Sequence, residues 1–95
     1  MPDLEALLDH KDPYVRMRLA VAIQRISPGN REAVRTLEGL LKNADPEVRR
    51  RTLESLEECG KDAEPLKQVI KASLSDSDED VRVAASGLLR ILNGN

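Results

Sequence analysis

The sequence predicts an all-α fold in which three αα-hairpins, six helices in total, stack into a short α-solenoid. Three observations predict it: the apolar residues are almost all aliphatic, they recur at helical spacing, and the sequence repeats at an offset of 33 residues. Because one hairpin cannot bury its own apolar face, neighbouring hairpins must pack on one another. We therefore expect the 95 residues to form one domain, with units at about 1–29, 30–60 and 61–95.

The repeat is clearest in the five residues that open the second helix of each unit. Asp12–Arg16 aligns with Asp45–Arg49 and with 78–82, so that Asp, Val and Arg recur three times. Apolar residues recur at the same offset on both sides of this segment: Leu4, Leu37 and Ile70 before it, and Ile23, Leu56 and Leu89 after it. Agreement at so many positions without a gap indicates a true internal repeat.

Unit one is expected to begin with a short helix and to end its second helix at Ser27-Pro28-Gly29. In unit two, the first helix should run from Arg31 to Lys42, with an apolar stripe of Ala33, Val34, Leu37, Leu40 and Leu41. Asp45 then caps the second helix, and Pro46 takes the first position, where a missing N–H costs nothing.

Apolar or small residues continue along this second helix at 48, 52, 55, 56 and 59, and Gly60 ends it. Unit three follows the same plan, with Asp78 as the cap and Asn93-Gly94 as the end. No segment alternates with period two, so we expect no strands.

Composition excludes several classes of protein. One cysteine excludes an internal disulfide and a cysteine-clustered zinc site. Fifteen basic residues against 17 acidic ones give a net charge of −2, whereas nucleic-acid binders carry a basic excess. No apolar run approaches the roughly 18 residues of a membrane span, and the N-terminus lacks signal-peptide features. We therefore expect a cytoplasmic protein with no cofactor, no metal, no nucleic-acid partner and no membrane association. Since no nucleotide-binding or nucleophile-elbow motif occurs either, we also expect it to be non-enzymatic.

The Asp-Pro-x-Val-Arg opening of the second helix, at Asp12–Arg16 and Asp45–Arg49, resembles HEAT-like repeats, and the short unit resembles the variety named after phycobilisome lyases. The resemblance covers nearly the whole chain, although Glu79 replaces the proline in unit three. It implies a right-handed superhelix whose second helices line the concave side. Most such proteins are interaction scaffolds, and a minority are enzymes or enzyme subunits, among them bilin lyases, a DNA glycosylase and a di-iron hydroxylase.

Aspartate and arginine recur in every unit and predict a structural ladder, formed by Asp12, Arg16, Asp45, Arg49, Asp78 and Arg82. We expect each arginine to contact a capping aspartate of its own or a neighbouring unit, a charge-assisted contact that fixes the stacking angle. The ladder resembles the recurring Asp/Arg pairs of the family. An anion site of stacked guanidinium groups is the alternative, but residues that recur in every unit usually stabilise the packing of neighbouring units.

Four other features have structural interpretations. Arg49-Arg50-Arg51 is a basic run, but glutamates surround it and no aromatic residue stands nearby to stack a base. Asp76–Asp80 begins like a calcium loop, yet it lacks the glycine and glutamate that the loop needs further on, and it predicts a capped helix start instead. His10 is expected to be a solvated turn residue, and Cys59 a core thiol.

The candidate functional surface is the side of the three second helices opposite their predicted core, which in unit one is Val15, Leu19, Ala22, Ile23 and Ile26. At about 100° per residue, four rows cross the stack: 14–47–80, 17–50–83, 21–54–87 and 24–57–90. Gly87 costs a helix about 1 kcal/mol relative to alanine, which a close backbone approach would explain. From these rows we predict a partner-binding strip of Tyr14, Met17, Val21, Arg50, Glu54, Glu57, Val83, Gly87 and Arg90; the alternative is an ordinary exposed face.

The leading hypothesis is a protein–protein interaction module that binds another protein on this strip. An accessory subunit of a bilin-lyase-like enzyme is the alternative from another class, and a nucleic-acid-binding domain is the weaker one. A homodimer through exposed ends of the stack is a further hypothesis. The end residues are Leu4, Leu7 and Leu8 on one side and Leu88, Leu89, Ile91 and Leu92 on the other.

Overall fold

Residues 11–94, the part of the chain that this computed structural model describes, form five α-helices joined by turns and 3₁₀ segments. The helices are α1 (Pro13–Ile26), α2 (Arg31–Leu41), α3 (Pro46–Leu56), α4 (Lys67–Ala72) and α5 (Glu79–Leu92). The 3₁₀ segments are Glu57–Leu66 and Ser73–Ser75. No strand occurs in residues 11–94, so the predicted all-α class is confirmed there.

The predicted set of six full helices is not found in this part of the chain. Four helices have 11 or 14 residues, whereas α4 has only six. No side chain caps α4 at Leu66, and 3₁₀ turns flank it on both sides. In contrast, Asn30 Oδ1 accepts the N–H of Ala33 at 3.0 Å and starts α2 as a regular helix. The first helix predicted for unit one lies outside the described residues.

Aspartate side chains begin the three second helices, as the sequence predicts. Asp12 and Asp45 each accept a hydrogen bond from the backbone N–H two residues later, at 2.8 and 2.9 Å. Asp78 accepts the N–H of Val81 at 3.1 Å. Each cap satisfies an N–H that has no partner inside the helix, which stabilises a helix by about 1 kcal/mol. These caps fix where α1, α3 and α5 start.

The helices form two layers. Helix α3 lies between α1 and α5 and contacts both. Helix α2 contacts α1, α3 and α4, and α4 also contacts α5. The second helices of the units are therefore neighbours in one layer, and the first helices α2 and α4 are neighbours in the other, an arrangement compatible with a stack of helical repeats.

Within the described part of the chain, buried apolar residues from all three units form one core cluster. The predicted stripe of α2 is confirmed, because four of its five residues are buried and Val34 is half-buried. The predicted face of α5 is also buried, and so is that of α3 except for the half-buried Ser55. The largest apolar side chains with essentially no exposed surface are Leu37, Leu53, Leu56, Leu66, Ile70 and Leu88.

Helix α1 is rotated relative to the prediction. Met17, Val21 and Gln24, which were expected to face outward, are 4%, 6% and 0% exposed, whereas Ile26, expected in the core, is 79% exposed. The reason is the set of neighbours: α1 packs on α2, α3 and the Glu57–Leu66 segment, and the side that carries Met17 and Val21 faces them. The neighbour predicted for its other side lies outside the described residues.

Gln24 shows why this rotation is stable. Its Nε2 donates a hydrogen bond to the carbonyl oxygen of Asp62, and its Oε1 accepts the N–H of Gly29 at 3.1 Å. Gly29 has a φ of 82°, a left-handed conformation that favours glycine. The fully buried amide therefore joins the end of unit one to the 3₁₀ segment Glu57–Leu66, and both of its polar atoms are satisfied.

The C-terminal end of the stack differs from the prediction as well. Leu88, Leu89 and Leu92 are at most 8% exposed, and of the predicted end residues on this side only Ile91 is exposed, at 38%. These leucines pack within the chain, so they offer no apolar surface at this end of the stack, which is one of the two ends where the sequence predicts a homodimer contact. The residues predicted for the opposite end, Leu4, Leu7 and Leu8, lie outside the described residues.

Arg49, one of the predicted ladder arginines, pairs with a carboxylate of the neighbouring unit, but that carboxylate is not the predicted one. Arg49 does not pair with a capping aspartate; its Nε and Nη2 donate to the two carboxylate oxygens of Asp76, at 2.8 and 3.0 Å. Its Nη1 also donates to the carbonyl oxygens of Asn43 and Ala44. The Arg49 and Asp76 side chains are 14% and 12% exposed, so this bidentate contact between units two and three is mostly shielded from water.

Asp76 is engaged because it stands two residues before the cap. Its Oδ1 accepts the N–H of Asp78 at 2.9 Å, and its carbonyl oxygen accepts Nη1 of Arg82 at 2.7 Å. The capping aspartate is thus occupied by its own helix, and the preceding aspartate is left to bind the arginine of the neighbouring unit. Burial acts to raise the pKa of Asp76, but the hydrogen bonds from Arg49 and Asp78 outweigh it and hold that pKa below its ordinary value.

Between units one and two, the position equivalent to Asp76 holds no acidic residue. Asn43 stands 33 residues before Asp76, and Arg16 stands 33 residues before Arg49. Asn43 Oδ1 accepts the N–H of Asp45 at 2.9 Å, as Asp76 does in unit three. Nε of Arg16, however, is buried and has no hydrogen-bond partner among residues 11–94.

We expect Asp76→Asn to lower the free energy of unfolding by about 2 kcal/mol near neutral pH, because the shielded Arg49 loses its carboxylate. Folding favours the ionised Asp76, so its contribution is complete above the pKa of the unfolded chain, about 3.9, and is lost as pH falls through the lower pKa of the folded state. Urea denaturation over a pH series should show the difference between wild type and variant shrinking below about pH 4. The exposed Asp80→Asn is the control; a loss no larger than the control's, or one independent of pH, would contradict the assignment.

Conversely, Asn43→Asp should raise the free energy of unfolding by about 1 kcal/mol, because it supplies Arg16 with the carboxylate that Arg49 already has. The new side chain can keep the hydrogen bond to the N–H of Asp45. Thermal unfolding of a double-mutant cycle with Arg16→Gln tests this, since the gain should disappear when Arg16 is replaced. A gain that persists without Arg16 would show that the two positions do not interact.

Candidate functional site

Two open grooves run between the second helices. The first, between α1 and α3, has a volume of about 620 Å³. The second, between α3 and α5, has a volume of about 560 Å³. Glu47 and Glu54 line both grooves, so the outer side of α3 forms the ridge between them.

The second groove brings together most of the predicted strip. Its lining contains Arg50, Glu54, Glu57, Val83 and Gly87, all predicted, together with three neighbours on the same helices, Glu47, Asp80 and Ala84. Val83 is 65% exposed, which is high for an aliphatic side chain in a helix that is otherwise well packed. The periodicity of α3 and α5 was sufficient to find this groove, since their predicted core faces are the buried ones.

The strip is less complete on α1. Tyr14 is half-buried and lines the first groove, where Met17 also contributes its small exposed surface. Val21 is buried beneath the surface and borders a smaller groove with Ala22 and Arg25. Arg90 is exposed near the end of α5 and lines neither of the two main grooves.

Arg50 is held in place on the ridge by its own helix. Its Nη1 contacts both carboxylate oxygens of Glu54, at 2.9 and 3.1 Å, and its Nη2 donates to Glu47. The spacing of three and four residues places these side chains on one face of α3. Arg50 therefore lines the second groove, and the two glutamates of its own helix already balance its positive charge.

Arg51, the last residue of the basic run, lines the first groove. Its Nε donates to Glu47 at 2.8 Å, and its guanidinium carbon lies 5.7 Å from the centre of the Tyr14 ring, a cation–π distance. The hydrogen bond from Arg51, with a second from Arg50, lowers the pKa of Glu47, which stays ionised. The four-residue spacing of Glu47 and Arg51 was the sequence signal for this contact.

The second groove has an excess of negative charge. Four carboxylates, on Glu47, Glu54, Glu57 and Asp80, face one guanidinium, on Arg50. Glu47 and Glu54 pair with that guanidinium, whereas neither Glu57 nor Asp80 makes an ion pair within residues 11–94. The two carboxylates without a cation lie on opposite walls, Glu57 at the end of α3 and Asp80 at the start of α5.

Gly87 faces this groove in the middle of α5, but no backbone approaches it. A Cβ atom at this position would meet, within the described residues, only Oε1 of Glu57, at an ordinary contact distance of 3.8 Å. No close backbone approach within the described residues therefore accounts for the glycine, and an approach by a partner's backbone stays a prediction. Packing within residues 11–94 does not require glycine here, and its effect is to widen the groove.

The other chemistry-bearing residues do not add to the site. Cys59 is buried in the core, as predicted, and burial raises the pKa of its thiol, which stays protonated near neutral pH. No group of three or more His, Cys, Asp or Glu side chains in residues 11–94 is arranged to hold a metal ion. His10 lies outside the described residues. Over the same residues, no helix has the length and apolar character needed to cross a membrane.

Comparison with known proteins identifies the repeat. A family model of HEAT repeats matches residues 1–90, nearly the full length of the chain. No curated protein and no solved structure matches the chain significantly. The match covers far more than half of the chain, and the chain therefore belongs to the HEAT repeat family.

Proposed function

We propose that this chain is a non-enzymatic module that binds another protein on the outer side of α1, α3 and α5. HEAT repeats generally mediate protein–protein interaction. The observation that carries the proposal here is the pair of adjacent open grooves, which share the α3 ridge and leave Val83 65% exposed beside Gly87. The proposed contact residues are Tyr14, Arg50, Glu54, Glu57, Val83, Gly87 and Arg90, with Met17 and Val21 beneath them.

The proposal includes the wider architecture. In a right-handed solenoid of this family, the layer formed by α1, α3 and α5 would be the concave one, and a partner segment would cross all three helices. Grooves between parallel neighbouring helices suit a helix or an extended segment that inserts side chains at regular intervals. Two grooves allow two such insertions along one segment.

The arrangement of charge supports a protein partner over a nucleic acid. Arg50 and Arg51 are the cations of the basic run that face the grooves, and both bind glutamates of their own helix. Phosphate recognition needs cations that are free to replace counterions. The groove side of α3 therefore carries no surplus positive charge for a nucleic-acid backbone.

Selection of binders from a library of random peptides displayed on phage tests the proposed surface. Most selected peptides should lose binding to a Val83→Gln/Gly87→Gln variant, because the added side chains fill the second groove. Gly39→Gln/Leu74→Gln is the matched control, since it also replaces a helical glycine and an exposed aliphatic residue, but away from both grooves.

Replacing glycine within a helix should stabilise each variant by about 0.5 to 1 kcal/mol, so lost binding would not reflect unfolding. The measurement is the binding of each purified peptide to the immobilised proteins. Peptides that bind the groove variant as well as wild type, or that respond instead to the control, would show that the interaction surface lies elsewhere.

A further inference from the structure

We infer that the second groove, between α3 and α5, takes a lysine- or arginine-bearing segment of the partner protein. This inference rests on the proposed function and specifies the chemistry of the partner. The argument starts from the shape of the groove: Val83, Ala84 and Gly87 on α5 provide an apolar wall, and Glu57 and Asp80 stand at its edges. An apolar surface with carboxylates at its rim matches a side chain that has an aliphatic stem and a cationic head.

The charges of the groove distinguish a basic partner from a neutral or an acidic one. Arg50 is already bound by Glu47 and Glu54, so it cannot neutralise the remaining carboxylates without breaking two ion pairs. Glu57 and Asp80 make no ion pair within residues 11–94. An acidic segment would meet four carboxylates and one guanidinium that is already paired, whereas a basic segment would meet complementary charge.

Gly87 gives a second, independent reason to expect a basic side chain in this groove. Glycine inside a helix costs about 1 kcal/mol relative to alanine, and the described chain has room for a Cβ atom at this position. The space that glycine leaves lies next to Oε1 of Glu57, the nearest side-chain atom. A lysine or arginine stem that passes over Gly87 would bring its charged head to the Glu57 carboxylate.

Three fluorescein-labelled peptides of equal length test the inference by fluorescence anisotropy. All three share an alanine and leucine background and differ only in the residues at their polar positions, which are lysine, glutamine or glutamate. Wild type should bind the lysine peptide about tenfold more tightly than the glutamine peptide, and the glutamate peptide least. Affinity for the lysine peptide should fall as salt is raised.

Two pairs of variants separate the groove from general attraction to a polycation. Glu57→Gln/Asp80→Asn should weaken the lysine peptide about tenfold, whereas Glu32→Gln/Glu64→Gln, which removes the same charge from exposed positions elsewhere, should change it less than twofold. Gly87→Gln should abolish binding without altering charge. Ser86→Gln, its exposed neighbour on α5, should leave binding intact.

Each other outcome is decisive. Equal losses in the two charge variants would mean non-specific attraction and would overturn the inference. If the glutamine or glutamate peptide binds as tightly as the lysine peptide and is lost in Gly87→Gln, the groove binds a protein segment but not a basic one, and the proposed function stands while this inference fails. If wild type binds none of the three peptides, the inference also fails, and the phage selection decides the proposed function separately.

Discussion

The bidentate contact between Arg49 and Asp76 is the interaction on which the geometry of units two and three depends. It is the least exposed ion pair within residues 11–94, and it joins α3 to the turn that precedes α5. The same aspartate orders that turn through the N–H of Asp78 and receives Arg82 on its carbonyl oxygen. Since α3 and α5 form the walls of the second groove, this contact ties one wall of the groove to the turn that leads into the other.

Most of the helical framework could be predicted because its signals are local. Asp45 and Pro46 mark the start of α3, and the predicted range of α2, 31–42, differs from the observed Arg31–Leu41 by one residue. The buried columns of α3 and α5 follow from apolar spacing alone, because both helices have neighbours on their predicted core side. The second groove was accessible to sequence reasoning for the same reason.

The errors occur where tertiary contacts override local pattern. The pattern of α1 predicts Gln24 on the surface. In the structure its amide hydrogen-bonds to two backbone groups that only the folded chain brings together, and this side of α1 is therefore buried. Asp76 looked like part of an acidic helix start, and its pairing with Arg49 required knowing that the cap itself would be occupied. The segment around α4 has no side-chain cap, and the prediction of a full helix there missed this because it relied on the repeated apolar positions.

The network of Arg50 with Glu47 and Glu54 has a consequence for how a partner would be held. These three long side chains already contact one another on α3 before anything binds. Immobilising such a side chain on association costs about 0.5 to 1.5 kcal/mol of conformational entropy, and a side chain that keeps these contacts in a complex loses less of it on binding. The ridge between the grooves is therefore a preorganised surface, and complexes formed on it should differ from one another mainly in how fast they dissociate.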